Sequence, residues 1–190
     1  MATMRHNLAN VLSVAHSMAR LSLMKFCYPK NVFFSGIERF SPNVVIDTDT
    51  ESALRFGKRV SIHSGGRFVA TSGGELSVGD RTSFNVGCIV TCRRSVTIGK
   101  NVCFGPNVMI FDHNHVMHSE KGARNSDFEV GSIEIGDNCW IGAGTIILLG
   151  THIGKNCVIA AGSVVKGTIP DNTVLIQKRS NTYKVAGEAT

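Results

Sequence analysis

The sequence is poor in several things that mark common protein classes. Its six cysteines (Cys27, Cys88, Cys92, Cys103, Cys139, Cys157) form no CxxC pair and no disulfide-scaffold spacing. They read as reduced core residues of a cytosolic protein. No apolar run approaches the ~20 residues that cross a bilayer. The first stretch, "LANVLSVAHSMARLSLMKF", is interrupted by His16 and Arg20 and lacks a cleavage site, so it is a poor signal peptide. No P-loop or GxGxxG cradle is present, and no basic run interleaves with aromatics as in a nucleic-acid reader. One Trp and two Tyr beside 20 Gly imply many tight turns and little room for large rings. The net charge of +6 comes from dispersed basic residues and leans toward anionic partners such as phosphorylated cofactors, acidic glycans or a membrane surface.

What is present is a globular composition, with 43% apolar and 18% charged residues over 190 positions, enough for one domain with an appendage. The Leu, Val and Met spacing of the first segment fits a short amphipathic helix that packs on its own domain or a sister chain, with any membrane contact peripheral. Beyond it a six-residue period dominates. Ile135, Ile141, Ile147, Ile153, Ile159 and Val165 follow one another at six-residue steps, and a mostly small residue lies four positions after each. The same phase holds at Val78, Phe84 and Val90, and after a two-residue slip at Ile98, Phe104 and Ile110. Neither a helix, of period 3.6, nor a hairpin sandwich predicts this. A solenoid of short strands does: each hexad supplies one face and three close a triangular coil around a column of aliphatics. The glycines of "IGKN", "IGDN" and "IGKN" suit corners that require positive φ. Residues 30–60 read as irregular first coils, and the repeat ends after Pro170. The boundaries are a helical segment 1–30, a repeat domain 31–176 carrying a loop at 116–132, and a tail 177–190.

The repeat breaks after Ile110, at "FDHNHVMH", and resumes at Ile135. Three of the seven histidines (His113, His115, His118) stand there, followed by a polar insert, "EKGARNSDFEVG". A polar corner, a metal site using Asp112 with these histidines, and a general base all fit such a cluster. Deprotonating a hydroxyl as it attacks a thioester suits an imidazole titrating near neutrality.

The hexads resemble the hexapeptide-repeat acyltransferase family, over residues of about 60–176. The resemblance implies a left-handed parallel β-helix, a handedness that the period does not set and that runs against the usual right-handed crossover. It also implies a homotrimer. "GPNV" followed by a histidine-bearing loop is similar to the sugar O-acetyltransferase branch, which includes galactoside, maltose and capsular or O-antigen enzymes. By an ungapped count from Pro106, the matching base is His115, with His113 in reserve. The resemblance makes Asn85, Arg93, Arg94, Asp112, His113 and Trp140 acceptor-side residues. Arg93 and Arg94 stand where galactoside enzymes carry acidic residues, which favours an anionic sugar. It lays acetyl-CoA, as co-substrate, along Trp140, Ala143, Ala161, Lys166, Arg179 and Lys184, with Lys178 a further phosphate candidate. No metal is required: His113 and His118 have the His-x4-His spacing of gamma-class carbonic anhydrases on the same solenoid, but no histidine lies between His63 and His113.

The function expected is acetyl-CoA-dependent O-acetylation, in the cytoplasm, of a sugar hydroxyl in a surface polysaccharide or its precursor. The alternatives are N-acetylation of an amino-sugar nucleotide or an antibiotic, a carbonic-anhydrase-like metal solenoid, and a non-catalytic scaffold.

Overall fold

A computed structural model describes residues 2–117, 127–178 and 180. After one helix, α1 (Ala2–Cys27), the chain winds into a three-faced prism of parallel strands. The first face runs from Val32–Phe34 through Ala53–Phe56, Glu75–Val78, Ser95–Ile98, Ile133–Ile135 and His152–Ile153 to Thr168–Ile169. The second runs from Arg39–Phe40 through Ser61–Ile62, Ser83–Phe84, Cys103–Phe104, Trp140–Ile141 and Val158–Ile159 to Val174–Leu175. The third stacks Val45–Thr48, Arg67–Ala70, Ile89–Cys92, Met109–Phe111, Ile146–Leu148 and Val164–Val165.

The hexad residues point inward. Ile135, Ile141, Ile147, Ile153, Ile159 and Val165 are all buried, as are Val78, Phe84, Val90, Ile98, Phe104 and Ile110. The pattern starts earlier than the sequence reading placed it. Phe40 and Ile46, then Phe56, Ile62 and Phe68, occupy the same inward positions in residues 30–60 and beyond. Ten residues, not six, separate Ile46 from Phe56 and Phe68 from Val78, so the phase is hidden on a linear reading. It also ends later, because Val174–Leu175 pairs in register with Val158–Ile159.

Large rings do fit inside. Phe40, Phe56, Phe68, Phe84 and Phe104 form a continuous contact series, with centroids 4.4 to 6.5 Å apart and mostly edge-to-face. Each lies in a separate strand on the axis of the N-terminal half, while aliphatics fill the C-terminal half. The cysteines divide: Cys88, Cys92, Cys139 and Cys157 are buried, but Cys27 and Cys103 are exposed, so the expectation that all six are core residues fails for two.

The corner between the first and second faces shows how coils stack. Asn101, Asn138, Asn156 and Asn172 all have φ between 56° and 60°, and their side-chain amides form a ladder with N–O distances of 3.0 to 3.2 Å. The left-handed position of "IGKN" therefore belongs to Asn, not to Gly as the sequence reading had it. The glycines serve close approach instead. A Cβ on Gly136 would meet the backbone of Gly154 and Lys155 at 2.7 Å. Asp80, Asp137 and Asp171 accept the backbone N–H groups of Lys58, Lys100 and Lys155 from the coil beneath, each at 2.8 Å.

A prism exposes unpaired strand edges at both ends, which invite unwanted pairing unless covered. At one end α1 lies across the first coil, and the Ser17 hydroxyl accepts the Phe40 N–H (2.7 Å) and donates to the Phe40 carbonyl (2.9 Å). Arg20 donates to the Val44 carbonyl beside it. At the other end the Gln177 amide pairs with both the N–H and the carbonyl of Val164. The helix is longer than the short one expected because no Gly or Pro occurs between Ala2 and Tyr28, and Pro29 follows its end.

Candidate functional site

Every departure from the six-residue step falls at one corner, between the third face and the first. It holds the ten-residue steps at Ile46–Phe56 and Phe68–Val78, the eight-residue step at Val90–Ile98 and the long excursion from Ile110 to Ile135. Here the chain leaves the prism as an antiparallel ribbon, His113–His115 pairing with Phe128–Val130. His118 and residues 119–126 lie outside the described residues.

Asp112 holds the base of this ribbon. Its carboxylate is fully buried and accepts the backbone N–H groups of Arg93 (2.9 and 3.0 Å), Arg94 (2.7 Å) and Ser95 (3.0 Å). The same carboxylate lies 3.0 Å from His113 Nδ1. Three backbone N–H dipoles thus converge on this one buried carboxylate. Burial beneath it, reinforced by the Asp112 charge, pushes the Cys92 thiol well above its ordinary range. Burial likewise raises Cys88 and Cys139, which keeps these thiols protonated and unreactive.

Phe128 organises the rest. Its ring contacts both histidines, with centroids 5.4 Å from His113 and 4.5 Å from His115. The Arg93 guanidinium stacks over the same ring at 3.7 Å and donates to Ser72 Oγ at 2.9 Å. Arg93 is thus engaged in bracing the ribbon, while Arg94 beside it is exposed. Sequence reasoning missed Phe128, and the only signal available was an aromatic residue in an otherwise polar insert.

The remaining candidates lie elsewhere. Trp140 is exposed on the second face, paired with Cys103 below, and Cys103 pairs in turn with Ser83. Asn85 follows Ser83–Phe84, two coils beneath Trp140, and its side-chain oxygen accepts the Val86 N–H at 2.8 Å. Ala143 and Ala161 stack at the corner between second and third faces, both exposed. Among the described residues neither of their N–H groups meets an acceptor. Gly105 and Gly142 permit this stacking, since a Cβ on Gly142 would lie 2.4 Å from the Ala161 nitrogen. Lys166 and Lys178 are exposed at the C-terminal end, and Arg179 and Lys184 lie outside the described residues.

The chain therefore gathers Asp112, His113, His115, Arg93 and Arg94 at one corner and Asn85, Trp140, Ala143 and Ala161 along another. The third face separates the two groups. Among the described residues no three His, Cys, Asp or Glu side chains converge as a metal would require.

Parallel strands on three faces with a ribbon extruded at one corner define the class, a hexapeptide-repeat β-solenoid. The family pattern described as "Hexapeptide repeat of succinyl-transferase" matches residues 132–166. The chain is 31% identical over 133 residues to a putative lipopolysaccharide biosynthesis O-acetyl transferase, WbbJ, of Escherichia coli K12, covering 66% of this chain and 68% of that one. It spans about half the length of the next curated relatives it matches. A crystal structure of a maltose O-acetyltransferase from Clostridium difficile 630 is 33% identical, with TM-score 0.50 over 74% of this chain and 64% of that one. A hexapeptide-repeat acetyltransferase of Vibrio cholerae, solved with acetyl-CoA, shares the fold at TM-score 0.56 and 21% identity, over 83% of this chain and 71% of that one. The chain belongs to the hexapeptide-repeat acyltransferase family, in its sugar O-acetyltransferase branch, and its fold is the left-handed parallel β-helix.

Proposed function

We propose that the protein transfers an acetyl group from acetyl-CoA to a hydroxyl of an anionic sugar, in a surface polysaccharide or its precursor. The observation that carries this reading is the Asp112–His113–His115–Phe128 ribbon, anchored through Asp112 at the one corner free of the coil repeat, with Arg94 exposed beside it.

In this mechanism His115 takes the acceptor hydroxyl proton as the oxygen attacks the thioester carbonyl. The developing oxyanion meets the exposed N–H of Ala143, an interaction worth ~3–4 kcal/mol at an oxyanion hole. Collapse expels the CoA thiolate, which recovers the proton from the imidazolium, so no enzyme nucleophile is consumed. Arg94 pairs with the acceptor's carboxylate or phosphate, and Arg93 supports it through Phe128. Asn85 and Trp140 contact the acceptor and the acyl end of the donor; Ala161 N–H binds the pantetheine arm; Lys166, Arg179 and Lys184 meet its phosphates. The acetyl-CoA held by the Vibrio cholerae relative supports the donor assignment. A second reading makes His113 the base, favoured by its contact with the buried Asp112 carboxylate.

These residues meet only across subunits. The outward side of the third face presents Asp47 and Arg67 in its first two strands but is apolar beyond them, with Ile89, Met109, Phe111, Ile146, Leu148 and Val164 all partly exposed. Packing that face against a copy removes it from water and brings the histidine corner of one chain toward the alanine corner of the next, in a homotrimer. We place the enzyme in the cytoplasm, with acetyl-CoA.

Thiol release from acetyl-CoA, measured with neutral and with carboxylated or phosphorylated sugars, tests this reading. Preference for the anionic acceptors, lost in Arg94→Asp, is expected. Turnover of neutral sugars that Arg94→Asp leaves unchanged would refute the acceptor assignment.

A further inference from the structure

Helix α1 buries one side and leaves the opposite side apolar. Ser17, Leu21 and Met24 face the first coil, and Leu21 is fully buried. At 100° per residue, Val11, Leu12, Ala15, Ala19, Leu23 and Phe26 fall within an arc of about 120° opposite that side, with Ser22 as its polar member. The four large members are 64%, 61%, 64% and 84% exposed. Because the buried side covers the end strand of the prism through Ser17 and Phe40, the apolar arc looks off the end of the molecule.

The charge carried by the N-terminal segment has one sign. None of the chain's 14 Asp and Glu residues precedes Glu38, whereas Arg5, Arg20, Lys25 and Lys30 do. Lys25 flanks one border of the arc and Arg20, with His16, the other. Among the described residues no helix is long and apolar enough to cross a membrane. An apolar face bordered by cations is the pattern of a helix lying in a lipid interface. A copy of the chain fits this arc poorly, because two such helices would bring uncompensated cations together. A copy on the apolar third face would lie beside the prism, away from its end.

We propose that the outer face of α1 seats the protein end-on on an anionic lipid surface. Leu12, Leu23 and Phe26 enter the interface, and the exposed Lys25 and Lys30 meet lipid phosphates. The proposal is independent of which acceptor or base the enzyme uses.

The test is sedimentation of the full chain with phosphatidylcholine vesicles, with and without about a third phosphatidylglycerol. The protein should pellet with the anionic vesicles and be released as salt screens the charge. Leu23→Ser with Phe26→Ser should weaken partition by roughly tenfold or more, with thermal melting and thiol release from acetyl-CoA unchanged. Lys25→Glu with Lys30→Glu provides a second route, weakening only the phosphatidylglycerol-dependent part; because Lys25 Nζ lies 5.9 and 5.5 Å from the Phe33 and Phe34 ring centroids, the variant's thermal melting is measured alongside. Failure to pellet, or equal pelleting of wild type and both variants, overturns the proposal. So does a fall in oligomer mass in the Leu23/Phe26 variant without vesicles, which would assign the arc to a second copy.

Discussion

The asparagine corner and the histidine corner perform the same task, turning the chain while satisfying its backbone, and do it in opposite ways. At the asparagine corner the coils repeat one shape: an Asn, or Arg59 and Arg81 in two early coils, at positive φ, a Gly under the next backbone, and in alternate coils an Asp accepting the N–H below. Little can be added there. At the histidine corner the number of residues changes in almost every coil, and Cβ atoms on Gly73 and Gly150 would meet nothing within 4 Å. The regular corner supplies the rigidity and the irregular one supplies the room for a site. Each also holds one fully buried carboxylate. Asp112 accepts three backbone N–H groups. Glu38, in the inward column of the asparagine corner, accepts one N–H from Val60 at 2.7 Å, and its other oxygen has no hydrogen-bond partner.

The largest effect is expected of Asp112→Ala. It strands the N–H groups of Arg93, Arg94 and Ser95 and should cost about 3–5 kcal/mol in denaturant unfolding. Asp112→Asn should recover part of that loss. If Asp112→Ala melts like wild type, the carboxylate does not anchor the ribbon. A smaller effect contrasts two glycines: Gly136→Ala, forced against backbone at 2.7 Å, should cost about 1–3 kcal/mol. Gly150→Asn, at φ 75° with open space, should cost well under about 1 kcal/mol. Equal losses would remove the distinction between the corners.

A further effect concerns pH. Burial raises the Glu38 carboxyl from 4.5 to about 7. Between these values the native protein holds a proton that the unfolded chain has released, so this contribution to stability is full below 4.5 and falls as pH rises to about 7. Glu38→Gln should therefore gain on wild type across that interval and hold a constant advantage above it. Parallel melting curves from pH 4 to 8 would show that Glu38 is not held protonated.

Much of the prism was legible because a six-residue period leaves an uninterrupted trace wherever corners are short, as from Ile135 to Val165. It faded at Phe40 to Phe68 because the long corners there shift the phase by four residues. The exchange of roles between Gly and Asn was illegible for a different reason. Close approach depends on a residue in the next coil, 18 positions away in Gly136 and Gly154, and local turn chemistry carries no sign of it. In the site, Asp112 and the histidines announced themselves by clustering, whereas Phe128 acts through rings brought together only by the ribbon pairing. Arg93 and Arg94 looked equivalent as neighbours, and only the stack on Phe128 separates a brace from an exposed cation.

In the proposed mechanism an imidazole of the ribbon deprotonates the acceptor. The most direct test of this step is the pH profile of kcat for thiol release in His115→Ala and His113→Ala, with stability measured alongside. His115→Ala should lower kcat about 10²- to 10⁴-fold and abolish the ascending limb that follows imidazole deprotonation, without loss of stability, while His113→Ala retains the limb. A His115→Ala enzyme with wild-type kcat and an unaltered profile would contradict the claim.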